Sequence, residues 1–134
     1  MTRFSVAVAA AIAGLMAGTA LAHHSYAMFD QDKSLTIKGA ITRFQWTAPH
    51  SWIDVAVTDS AGKVRTWGIE TGPPSALSRR GWKKNSLKAG DQVVVELHPL
   101  RAAGSIGGAL ISVKNTSTGE VFLDRGELQR RDAQ

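Results

Sequence analysis

Apolar residues recur at every second position in several short segments of the chain, and this alternation restricts those segments to β-strands. The segment from Trp52 to Thr58 alternates in this way. In the segment from Ser34 to Trp46, the alternation changes phase between Ile41 and Phe44. Because successive strand residues point to opposite faces, a change of phase requires an inserted residue, a β-bulge that bends the strand. A long, bent first strand is typical of a small closed barrel.

The order of the predicted elements narrows the fold further. A three-strand meander is followed by a short helix, which begins at the prolines 73 and 74 and ends before Gly81, and then by further strands. This order predicts an all-β domain with one short helix, an OB-fold-like five-stranded Greek-key barrel. An open β-sandwich is the alternative, and the helix between the third and fourth strands argues against it. The predicted strands cover residues 34–46, 52–58, 63–70, 92–98, 109–114 and a short 120–123, and the helix covers 74–80.

The first 22 residues have the pattern of a secretory signal peptide. Arg3 gives a positive start, an uncharged apolar run follows from Phe4 to Leu21, and Ala20 and Ala22 place small residues at the cleavage site. The alternative is an uncleaved membrane anchor. We therefore expect a periplasmic or secreted bacterial protein with no stable membrane insertion after cleavage. The predicted organisation is a cleaved signal over 1–22, an N-terminal arm over 23–33, an OB-like barrel over 34–124 and a polar tail over 125–134.

Composition excludes several classes of function. The chain of 134 residues has no cysteine, so disulfide scaffolds, thiol catalysis and iron–sulfur sites are ruled out. Its 16 basic and 11 acidic residues make it mildly basic, and export would separate it from cellular nucleic acid, so we expect no nucleic-acid partner. No catalytic motif is present, although Asp54 and Glu70 are predicted on neighbouring strands. The sequence predicts a binding module rather than an enzyme.

Four strings of residues point to a known family: 23–30 (HHSYAMFD), 46–53 (WTAPHSWI), 67–70 (WGIE) and 87–91 (LKAGD). With these strings the chain resembles a family of small exported bacterial proteins that is known only as a domain of unknown function, DUF6152. The family turn usually reads Asn-Pro-His, whereas Ala48 stands at the asparagine position here. The resemblance covers the mature domain and implies no particular chemistry.

The histidines are the candidate metal ligands. Cleavage after Ala22 would make His23 the N-terminal residue, whose amine and ring nitrogen together chelate copper(II), which prefers nitrogen ligands. His24 offers a second chelate, and a specific site would need a further ligand from the domain, either His50 or His98. A straight first strand would span about 50 Å, so geometry favours His98, near the start of that strand. The resemblance singles out His50. The alternative interpretations are a structural turn residue for His50 and an exposed strand-end side chain for His98.

The aromatic residues around the Pro49-His50 turn suggest a second kind of site. Trp46 and Trp52 flank this turn, where OB-folds hold ligands, and they are candidates for binding a ligand or an envelope protein partner without a metal. The alternative is that they close the end of the barrel. Trp67 and Trp82 are predicted in the core.

Two further segments carry expectations of their own. The arm is expected to dock through Tyr26, Met28 and Phe29. A basic cluster is interpreted first as a solvated helix end and second as a surface for anionic lipid headgroups, an acidic polymer or an acidic partner. A further alternative is that Arg79 or Arg80 pairs with Glu70. The cluster consists of Arg79, Arg80, Lys83, Lys84 and Lys88.

Overall fold

A computed structural model describes residues 26–125. The predicted element order is confirmed, and each boundary lies within one residue of its predicted position. The predicted signal peptide, the first residues of the arm and nearly all of the polar tail lie outside the described residues. The elements are β1 (Leu35–Gln45), β2 (Ser51–Thr58), β3 (Val64–Thr71), α1 (Pro74–Arg79), β4 (Gln92–Pro99), β5 (Gly108–Asn115) and β6 (Val121–Leu123).

The strands form a closed barrel. Their order is β3-β2-β1-β4-β5-β6, and a parallel pairing between β3 and β5 joins the two ends of the five-stranded part. This closure involves only two residue pairs, Ile69 with Gly108 and Glu70 with Ala109. β6 adds to the outer edge of β5 through three pairs. The OB-fold-like architecture is therefore confirmed, with one additional strand.

β1 belongs to both halves of the barrel. Its first half, up to Ala40, pairs with β4, and its second half, from Ala40 to Gln45, pairs with β2. The register with β2 shifts between Ile41 and Arg43, which confirms the predicted bulge. The bend at this point lets a single strand connect two sheets that face each other across the core.

The core is filled by the inward faces of the strands and by three residues from the α1–β4 region, Leu77, Trp82 and Leu87. Leu77 of α1 and Trp82 are buried, and Trp82 packs against Phe44 and Phe122 with ring-centroid distances of 5.9 and 4.9 Å. The prediction that Trp82 lies in the core is confirmed. Trp67, which is also predicted there, is only half-buried at the edge of the core. Within residues 26–125, no helix is both long and apolar enough to cross a membrane.

The described part of the arm runs beside the end of β4. Phe29 is buried and forms a bridge with Leu100, and the Asp30 N–H donates to the Pro99 carbonyl at 2.8 Å. Docking through Phe29 is therefore confirmed. The expectation for Met28 is wrong, because this side chain is 49% exposed while its carbonyl accepts a hydrogen bond from the Arg101 N–H.

Close backbone approach makes the β3–β5 closure possible. Gly107 has φ +126°, and a Cβ at this position would lie 2.7 Å from the Gly68 carbonyl oxygen. At Gly108 a Cβ would collide with the His98 carbonyl. Only glycine lets the β4–β5 loop come this near to β3.

We therefore expect Gly107→Ala to lower the free energy of unfolding by about 3 kcal/mol, since it adds steric overlap to backbone strain. Gly104→Ala is the matched control in the same loop, because Gly104 also has a positive φ (+76°) but no atom within 4 Å of its Cβ position. The control should lower the free energy of unfolding by only about 1 kcal/mol. Chemical denaturation of both variants measures the difference, and equal losses would contradict the steric argument.

Candidate functional site

A small, partly open cavity of about 70 Å³ lies where β3 meets β5. It brings together the start of the described arm, the turn before β2, the end of β3 and the end of β6. Its lining contains a phenol, an imidazole, two carboxylates and a guanidinium group. The lining residues are Tyr26, His50, Glu70, Thr71, Gly72, Pro73, Ala109, Asp124 and Arg125.

His50 is held by a carboxylate. Its Nδ1 lies 2.8 Å from Oε1 of Glu70. With Glu70 ionised, Nδ1 carries the proton and donates, so Nε2 is the nitrogen with a free lone pair. Within residues 26–125, the ring forms no other hydrogen bond.

The turn that carries His50 is braced by its own side chains. The Thr47 hydroxyl donates to the His50 carbonyl at 2.9 Å, and the Ser51 hydroxyl donates to the Thr47 carbonyl at 3.2 Å. The Ser51 N–H donates to the Gly72 carbonyl at 3.2 Å, which ties the turn to the segment after β3. These contacts position the turn although Ala48, before the cis Pro49, has no polar side chain.

Glu70 is a buried carboxylate, only 7% exposed. Burial raises its pKa, the nearby Asp124 carboxylate adds to this rise, and His50 opposes it. In β3 it lies opposite Trp52 of β2 and Ala109 of β5. Neither Arg79 nor Arg80 pairs with it within the described residues, so that alternative is wrong.

Asp124 is buried as well, but it is stabilised by donors. Its Oδ1 accepts hydrogen bonds from the Thr71 hydroxyl at 2.6 Å and from the Gly72 N–H at 2.8 Å. Its Oδ2 lies 3.6 Å from Nε of Arg125. These bonds fix the end of β6 against the end of β3, so that both carboxylates face the same cavity.

Tyr26 covers the cavity on the side of the arm. The Arg125 guanidinium lies 3.9 Å from the centre of its ring, and Phe29 packs edge-on against it at 5.8 Å. Burial raises the pKa of the Tyr26 hydroxyl, and the positive charge of Arg125 opposes this rise. The phenol is therefore a neutral donor or acceptor at physiological pH.

The structure shows how the predicted histidines are arranged. His98 lies near the start of β1, where the topology predicts it, and its Nδ1 is 2.8 Å from the Lys33 carbonyl. The arm nevertheless continues past it to Tyr26, which shares the cavity with His50. The straight-strand estimate fails because β1 is bent and the barrel is closed. His23 and His24 lie outside the described residues.

The residues predicted for a metal-free site differ in their exposure and surroundings. Trp46 is half-buried, with its ring 5.7 Å from that of Phe44, whereas Trp52 is 36% exposed on the outer face of β2. Pro49 is exposed, and only His50 of this set lines the cavity. Asp54, the other carboxylate considered with Glu70, pairs with Nε of Arg43 at 2.8 Å.

Sequence reasoning missed part of the cavity. The sequence pattern does not pair Glu70 with His50. It predicts Asp124 only as the last residue of the barrel and Arg125 only as the first residue of the tail. No local sequence pattern identifies Asp124 and Arg125 as site residues, because they reach the cavity through the pairing of β6 with β5. Within residues 26–125, no three histidine, aspartate or glutamate side chains converge as a metal site. A metal bound here would need ligands from elsewhere in the chain.

The raised pKa of Glu70 predicts a dependence of stability on pH. Between its ordinary value of 4.5 and its higher value in the folded protein, the folded state binds more protons than the unfolded state. The free energy of unfolding should therefore fall as the pH rises through this interval. Glu70→Gln, which keeps an oxygen acceptor for His50, should flatten the profile, as measured by denaturation across this range.

Asp30 has the opposite effect on the pH dependence of the free energy of unfolding, because a hydrogen bond from Lys33 lowers its pKa. The difference between the wild-type and Glu70→Gln profiles therefore gives the contribution of Glu70 to the pH dependence, since Asp30 contributes equally to both. Parallel profiles would contradict the assignment.

No curated protein and no solved structure matches this chain. The profile of a family of unknown function, DUF6152, matches residues 11–109. The match runs from the apolar N-terminal run to the first residues of β5 and covers more than half of the chain. It confirms the resemblance drawn from the Pro-His turn and the arm. The chain belongs to the DUF6152 family of unknown function.

Proposed function

We propose that this protein is an exported binding module that holds a copper ion between His50 and the histidine end of its processed chain. The observation that carries this proposal is the hydrogen bond from His50 Nδ1 to Glu70 Oε1, at 2.8 Å. Metal-bound histidines characteristically donate their second ring nitrogen to a carboxylate or a carbonyl, which fixes the tautomer and raises the basicity of the coordinating nitrogen. His50 has this arrangement, with Nε2 as the coordinating atom.

Chain connectivity supports the same assignment. Tyr26 lines the cavity that contains His50. His24 precedes Tyr26 by two residues and His23 by three, so their Cα atoms lie within about 7 and 11 Å of that of Tyr26. Chain length therefore allows either imidazole to reach toward the cavity.

The chemistry of the donor set favours copper. A free N-terminal histidine supplies an amine and an imidazole nitrogen, and His50 supplies a third nitrogen, which suits the tetragonal geometry of copper(II). The Glu70 and Asp124 carboxylates add negative charge that favours a cation nearby. The pattern of residues 1–22 supports the export and cleavage on which a free His23 depends.

A binding role fits the dimensions of the cavity better than catalysis on an organic substrate. At about 70 Å³ it is far smaller than the few hundred Å³ typical of sites for small organic molecules. An ion with its own ligands fits a space of this size.

The test is a copper(II) titration of protein that begins at His23, released from a removable fusion that leaves no extra residue. We expect one tight site with three nitrogen ligands in the electron paramagnetic resonance spectrum. His50→Ala should weaken it by at least 10- to 100-fold, since even the loss of an outer-shell partner has that effect. One glycine added before His23 should also weaken it strongly.

His98→Ala is the matched control, because His98 also has its Nδ1 paired, with the Lys33 carbonyl. It should leave the affinity unchanged. Copper binding that is indifferent to His50→Ala, or that depends on His98 instead, would contradict the proposal. The intact mass of protein exported with its own signal independently tests cleavage after Ala22.

A second candidate function is metal-free binding of an envelope protein partner around the Trp46–Trp52 turn. The exposure of Trp52 favours it, since large apolar side chains on a surface often mark interaction sites. Gly68, on the neighbouring strand, leaves space beside the indole, with the nearest ring atom 4.0 Å from its Cβ position.

Trp52→Ala should then leave the unfolding midpoint nearly unchanged while abolishing the capture of a specific partner from an extract of the cell envelope. Val64→Ala is the control, because Val64 is a more exposed apolar residue, on β3. Equal capture by both variants would count against a role for Trp52.

A further inference from the structure

The segment between the end of α1 and the start of β4 concentrates positive charge. It contains five basic residues within ten positions, and no acidic residue occurs between Glu70 and Asp91. All five side chains are exposed. We call this the basic segment; its charged residues are Arg79, Arg80, Lys83, Lys84 and Lys88.

The charges of the basic segment are not neutralised within the described part of the molecule. Among residues 26–125, none of the five forms an ion pair. Five other basic side chains, by contrast, each lie within 4.0 Å of a carboxylate; they are Lys33, Arg43, Arg65, Arg101 and Arg125. Lys38, Lys63 and Lys114 also form no ion pair among residues 26–125, but they are scattered along the chain, whereas the basic segment places five such charges within ten positions.

The backbone of the basic segment is held in place from inside. Leu77, Trp82 and Leu87 are all buried, and the Trp82 indole N–H donates to the Leu123 carbonyl at 2.8 Å. The Lys83 N–H donates to the Ser86 hydroxyl at 2.8 Å, and the Lys88 N–H to the Asp91 carboxylate at 2.9 Å. Because the apolar residues anchor the segment, the charged side chains are left on the solvent side of a rigid support.

We propose that the basic segment docks the domain peripherally onto an anionic phospholipid surface. Its several separate cations complement a plane of phosphate headgroups, and each Lys or Arg near such a surface raises partitioning about fivefold. The single aromatic residue of the segment, Trp82, is buried, so the segment offers no aromatic ring for stacking on nucleic-acid bases. Docking of this kind needs no inserted helix.

The test is co-sedimentation of the chain that begins at His23 with two kinds of vesicle, so that the apolar run from Phe4 to Leu21 cannot insert by itself. One kind contains phosphatidylcholine alone and the other phosphatidylcholine mixed with phosphatidylglycerol. We expect binding only to the anionic vesicles, and added salt should release the protein. The double variant Lys83→Gln and Lys84→Gln should bind roughly 20-fold more weakly.

The matched control is Lys63→Gln with Lys114→Gln, which removes the same charge from exposed positions elsewhere on the barrel. It should retain most of the binding. Equal losses in the two double variants would overturn the proposal, because net charge alone would then explain the affinity. Absence of vesicle binding together with tight binding of polyglutamate would overturn it in favour of an acidic protein partner.

Discussion

The short parallel pairing of β3 with β5 is the constraint on which the rest of the molecule depends. Only two residue pairs form it. A side chain at Gly107 would meet the Gly68 backbone of β3, and a side chain at Gly108 would meet the His98 backbone of β4. This pairing turns a curved sheet into a closed barrel. It also places Glu70 between β2 and β5, so the residue at the centre of the candidate site is one of the residues that close the fold.

The two buried carboxylates of the cavity have different hydrogen-bond partners. Asp124 accepts a hydroxyl and a backbone N–H, which stabilise its charge at a fixed position. Glu70 has His50 as its partner, and its pKa rises because burial and the charge of Asp124 outweigh that interaction. The charge state of Glu70 is consequently the sensitive one. It controls which nitrogen of His50 carries the proton, and therefore whether Nε2 can accept a metal.

Much of the fold follows from local patterns, and the bulge in β1 is the clearest case. A change of phase between Ile41 and Phe44 is visible in the sequence and has only one structural explanation in a strand. The burial of Glu70 is different, because β3 alternation assigns it to the outer face, opposite the exposed Trp52. In the folded protein Tyr26 of the arm and Asp124 after β6 line the same cavity as Glu70, which is buried. Such contacts between distant segments leave no periodic trace in the sequence.

The histidines illustrate the same limit. Topology placed His98 correctly beside the start of β1, but distance along a straight strand was the wrong measure for His50. Once β1 bends and the barrel closes, the arm passes the end of β4 and brings Tyr26 to the turn before β2. Proximity in a small barrel depends on closure more than on the length of its strands.

The cavity and the basic segment are joined by a short, rigid connection. Gly72 and Pro73 line the cavity, α1 begins at the next residue, and the basic segment starts at its last residue, Arg79. A helix of six residues spans about 9 Å. The lining of the cavity and the basic segment share no residue, so a substitution in one removes no side chain from the other.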